Sequence, residues 1–171
     1  MNNDELYKKF RELNVPDPEL WADSQINEGI NQLSRAKALS LLFEPIQSYD
    51  NYDTIDSFLG QPAEPDRPYG LVGILIKKIL NANISKKELN YLIRCVQVSY
   101  IQEICARLDG CYEGSPTYGI MICDKVDDEG NFAVPDGLHE SVFEMEGNDM
   151  VPPDDVKEQI IGNNITTKIN G

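Results

Sequence analysis

Apolar residues recur at helical spacing from the start of the chain. Leu6, Phe10 and Leu13 share one side, and Asp4 and Glu5 stand where the positive end of a helix favours acid, so the pattern predicts an amphipathic helix over 4–13. "VPDPEL" breaks it. A second helical stretch covers about 18–43, with Gly29 placed to divide it and Pro45 to stop it. The acidic and aromatic segment "YDNYDTIDSFLGQPAEPDRPYG" (49–70) reads as a long loop holding one short helix near 53–59. Pro68 then opens an apolar helix to about residue 80, in which Gly70 and Gly73 would let another helix approach closely. The strongest pattern follows from Ser85. Ser85 and Glu88 have the spacing of a capping box, and Leu89, Leu92, Ile93, Val96, Tyr100 and Ile104 repeat at helical spacing. Val98, Ile101, Cys105 and Leu108 lie on neighbouring faces, Arg107 is in the last turn, and Gly110 is placed to cap the end. This helix is expected to be central.

Beyond Gly110 the texture changes. "TYGIMICDKVDDEGNFAV" (117–134) reads as a hairpin: an apolar run, a "DDEG" turn and a short return. Residues 138–145 fit two patterns. Leu138, Val142 and Met145 suit a helix, whereas His139, Phe143 and Met145 suit one face of a strand. A last helix is expected after "VPP", with Asp154 and Asp155 at its positive end, followed by a polar tail. The expected fold class is therefore α+β, a helical N-terminal two-thirds packed against a small C-terminal antiparallel hairpin or sheet. The expected organisation is one domain over 1–171: 1–110 mainly helical, 111–150 β-rich, 151–162 a terminal helix and 163–171 a flexible tail.

Charge sharpens this picture. The 171 residues carry 15 Lys/Arg and 29 Asp/Glu, a net charge of −14. Residues 1–110 hold 12 basic against 16 acidic side chains (−4), and residues 111–171 hold 3 against 13 (−10). Such a surface repels phosphate backbones, which argues against direct nucleic-acid binding, and it attracts basic proteins. No apolar run reaches membrane-spanning length, and "MNNDELYKKF" lacks the charged-then-apolar order of a signal peptide, so a cytoplasmic protein is expected.

The search for chemistry is mostly one of exclusion. His139 is the lone histidine, and its neighbour Glu140 points away from it in either a helix or a strand. Its expected role is to hydrogen-bond a turn after "PDG" rather than to act as a base. Cys105, Cys111, Cys123 and His139 are separated by five, eleven and fifteen residues, which matches no zinc arrangement. "DKVDDEGNF" lacks the ligand positions of a calcium loop. There is no nucleophile elbow and no glycine-rich phosphate loop. No cofactor, metal or catalytic residue is expected.

What survives is a binding surface in which carboxylates steer and aromatics supply area. Two stretches combine the ingredients. One holds Tyr49, Asp50, Tyr52, Asp53 and Asp56, with Phe58. The other holds Asp127, Asp128 and Glu129, then His139, Glu140, Glu144, Glu146 and Asp149. The expectation is an acidic protein-binding protein that neutralises a basic partner, in the manner of an immunity or inhibitor protein against a toxin. Two alternatives stand beside it: a nucleic-acid mimic that occupies a DNA-binding protein, and an enzyme with a carboxylate site. In the last case a deep pocket with two close carboxyls, or a distant acid beside His139, would be the sign.

Overall fold

The computed structural model describes residues 2–111, 124–125, 132–133, 135, 137–147 and 151–160. Eight helices make up the described chain: α1 (Asn3–Glu12), α2 (Pro18–Glu28), α3 (Gln32–Phe43), α4 (Asp53–Gly60), α5 (Val72–Asn81), α6 (Lys86–Leu108), α7 (Leu138–Glu146) and α8 (154–160).

The fold is all-α, and the α+β expectation is overturned. The extended residues described are two pieces, β1 (Asp124–Lys125) and β2 (Phe132–Ala133), paired antiparallel with Asp124 opposite Ala133. A two-residue ladder is too short to form a layer of the fold. The segment expected to be β-rich instead supplies α7. Leu138 and Val142 are fully buried one helical turn apart, and Met145 packs beside them. The i, i+4, i+7 spacing thus wins over the strand pattern. Glycines with left-handed backbone, Gly137 (φ 63°) and Gly147 (φ 76°), bound the helix at its two ends. The rest of the expected hairpin (117–123, 126–131 and 134) and the tail (161–171) lie outside the described residues.

Helix ends follow local chemistry. In α1 the Asn2 side chain accepts from Glu5 N while Glu5 reaches back to Asn2 N. Ser85 and Glu88 form the same reciprocal pair ahead of α6. Gly29 divides α2 from α3 in a left-handed conformation (φ 73°).

The chain separates into two compact units, and the boundary falls within α6 between Val96 and Gln97. The first unit comprises Met1–Ile46 and Gln97–Met150. Its core gathers Phe10, Trp21, Leu39, Val98, Ile101, Cys105, Leu138 and Val142, with the Phe10 and Trp21 rings 6.2 Å apart and tilted. The second unit comprises Gln47–Val96 and Val151–Gly171 and packs Ile55, Ile76 and Leu89 with Tyr52, Phe58 and Ile93 around them. In this unit α4 approaches α5 so closely that a Cβ on Gly73 would overlap the Phe58 carbonyl, the role that the glycine suggested. Among the described residues, no helix is long and apolar enough to cross a membrane.

Candidate functional site

The first acidic and aromatic stretch, in the second unit, is occupied by internal contacts. The Tyr49 ring stacks on Tyr91 at 6.3 Å, and the Arg94 guanidinium lies over it at 4.6 Å. Fully buried Asn90 donates through Nδ2 to the Ser48 and Tyr49 carbonyls, both at 2.9 Å, and Arg94 donates to the Gln47 carbonyl at 2.7 Å. Tyr52 packs against the core, Asp56 is ion-paired with Lys86, and Asp50 and Asp53 are exposed. The tyrosines here seal the edge of the core.

The second stretch, in the first unit, divides across α7. Asp127, Asp128, Glu129 and Asp149 lie outside the described residues. Glu146 is buried, whereas Glu140 and Glu144 are exposed. These two acids face an open cleft of about 270 Å³ enclosed by α2, α3 and α7. Leu20, Trp21, Ser24 and Glu28 line it from α2, Gln32 and Arg35 from α3, and Ser141 from α7, with Ile30 between the first two helices. The reversal at Gly29 builds this side. It sets Gln32 Nε2 to donate to Ser24 Oγ at 2.9 Å and Leu33 N to donate to Gln25 Oε1 at 2.8 Å.

The cleft's charge is unbalanced. Glu28, Glu140 and Glu144 set three carboxylates against the one guanidinium of Arg35, a net −2. Arg35 is 7% exposed, and its Nη1 stands 3.6 Å from Glu140. The carbonyl Oε1 of Gln32, on a residue only 6% exposed, accepts no hydrogen bond among the described residues. A buried acceptor left without a donor is costly to the fold.

His139 stands on another part of α7, and its partner is distant in sequence. Asp109 Oδ2 accepts from the His139 backbone N–H at 2.8 Å and lies 2.7 Å from Nδ1. Cys111 Sγ is 3.6 Å from both ring nitrogens. Cys105 faces the core of the same unit, and desolvation pushes its thiol up to about 11. Among the described residues no three His, Cys, Asp or Glu side chains are placed to hold a metal ion.

Sequence reasoning had named Glu140, Glu144 and His139 but not Glu28, Gln32, Arg35 or Asp109. A signal for Asp109 existed. A carboxylate in the turn after α6 sits at the negative end of the helix dipole, where it is disfavoured unless a donor from elsewhere meets it. No family model matches the chain, and no curated protein or solved structure matches it.

Proposed function

We propose that this chain is an acidic cytoplasmic protein that works by binding a basic protein, and that the cleft between α2, α3 and α7 receives a lysine or arginine side chain of that partner. An immunity or inhibitor role against a cationic toxin is the form of this function that suits its size and charge. The observation that carries the reading is the cleft itself: three carboxylates among its lining residues, and apolar walls from Leu20 and Trp21 for an aliphatic stem. The surrounding charge adds support. The first unit holds 7 Lys/Arg against 20 Asp/Glu, a balance of −13, and the second holds 8 against 9, a balance of −1. Steering would therefore bring a cation toward the unit that holds the cleft.

Capture from a cell lysate on the immobilised chain tests the reading. A basic protein should be retained at low salt and released at high salt. It should be lost with the triple variant Glu28→Gln, Glu140→Gln, Glu144→Gln and kept with Asp50→Asn, Asp53→Asn, which removes exposed acids elsewhere. Retention of nothing basic, salt-independent retention, or equal loss with both variants overturns it.

A further inference from the structure

The end of α6 and the start of α7 bring together a thiol, an imidazole and a carboxylate. Gly110 adopts the left-handed conformation (φ 73°), and Cys111 N donates back to the Ala106 carbonyl at 2.9 Å, which closes the helix in a Schellman turn. That turn sends Asp109 and Cys111, on either side of the glycine, to the same imidazole. Asp109 is 6% exposed and His139 31% exposed, whereas Cys111 is exposed and free. A carboxylate only accepts, so Nδ1 carries the proton toward Asp109, and Nε2 keeps its lone pair. Nε2, like Nδ1, is 3.6 Å from Sγ.

Two of these contacts have a structural use. The bond from His139 N to Asp109 caps the first turn of α7, which its own N-cap residue, Gly137, leaves without a side-chain cap. The second bond of Asp109, to the ring, is not needed for capping. It fixes the tautomer and orientation of an imidazole that solvent reaches, next to a thiol that solvent reaches.

We propose that Cys111 is a nucleophilic thiol that exchanges with small disulfides from solution, with His139 as its base and Asp109 as the residue that positions the base. The Cys111 proton moves to His139 Nε2. The thiolate attacks one sulfur of R–S–S–R, the Cys111–S–S–R bond forms, and the R–S⁻ that leaves takes the proton back from Nε2. The products are the mixed disulfide and R–SH, so the disulfide itself is the only oxidant required. Exchange of this type needs an accessible sulfur and a thiolate, and both partners here are open to solvent. The balance of −13 on this unit favours neutral or cationic disulfides over anionic ones. The inference is independent of the cleft and of any basic partner.

The test uses the full chain and neutral 4,4′-dithiodipyridine, with rates followed by absorbance from about pH 5 to about pH 9, where an imidazole titrates. One fast thiol is expected in the native protein, and Cys111→Ser should remove it. In the native chain that rate should follow a pH profile different from that of His139→Gln. His139→Gln should slow it by about tenfold at neutral pH, with imidazole in solution restoring part of the loss. Asp109→Asn should shift the pH profile, an effect that loss of a helix cap alone would not produce. Cystamine should react faster than oxidised glutathione. A fast phase that survives Cys111→Ser, or a native pH profile matching a free small thiol, overturns the proposal. The native profile decides the question even if a variant fails to fold.

Discussion

Asn90 is fully buried on α6, and it spends its Nδ2 on two carbonyls of the segment that follows Gln47. Without that amide, both carbonyls lose their side-chain donor and a fully buried position is left unfilled. Asn90→Ala should therefore lower stability by about 1–3 kcal/mol in chemical denaturation, whereas Asp50→Ala, on an exposed side chain, should change it by less than about 0.5 kcal/mol. The same segment shows why single residues mislead when they are read alone. Tyr49 and Tyr52 looked like anchors for a partner, but Tyr91, Arg94 and the Ile55 cluster already occupy them. An aromatic beside acids has the same composition whether its ring faces a partner or its own core. At the opposite extreme, Asp109 was legible in principle, because an acid at a helix C-terminus needs a donor from elsewhere.

Among the elements, α6 separates periodicity from burial. Its length, its capping box and its glycine end follow from local sequence, and all three are present. Which face is buried does not follow. Leu89, Val98, Ile101 and Cys105 are buried, whereas Leu92, Val96, Tyr100 and Ile104, which carried much of the expected periodic face, are exposed. Leu92→Gln and Tyr100→Gln should accordingly shift the denaturation midpoint by less than about 0.5 kcal/mol equivalent, while Leu39→Ala, in the first unit's core, should cost about 2–5 kcal/mol. A large loss from the α6 variants would show that face to be covered in solution. The segment 138–145 was ambiguous for a related reason. Its apolar positions fit two periods, and packing of Leu138 and Val142 into the core chose the helical one.

For the whole molecule, charge is the property most rearranged by folding. Along the chain the acidity gathers after residue 110, but the compact units group residues 1–46 with 97–150 and so place −13 of the net −14 in one unit. A buried ionisable group in that unit adds a pH dependence. The Cys105 thiol is raised from 9.0 to about 11 by desolvation, so the folded state holds its proton where the unfolded chain has lost it. The stabilisation is complete below about pH 9 and is lost as pH rises through about 11, at up to roughly 1.4 kcal/mol per pH unit. The stability gap between the native chain and Cys105→Ala, measured by urea titration, should narrow over this alkaline window and stay constant between about pH 7 and about pH 8. A gap that does not change with pH would remove the desolvated thiol from the account.

The sequence by itself determined the helices whose signals are local, namely spacing, caps, prolines and glycines, because these depend on neighbours within a few turns. It also determined the net charge. Only the tertiary structure decided that the fold is all-α, that the Tyr49 segment serves its own unit, and that Glu28, Gln32 and Glu140 meet around one cleft. It alone brought Asp109 and Cys111 to His139, about thirty residues away along the chain. The physical reason is common to these cases. Burial and encounter between distant residues follow from which faces pack together, and periodicity identifies a face without naming what will cover it.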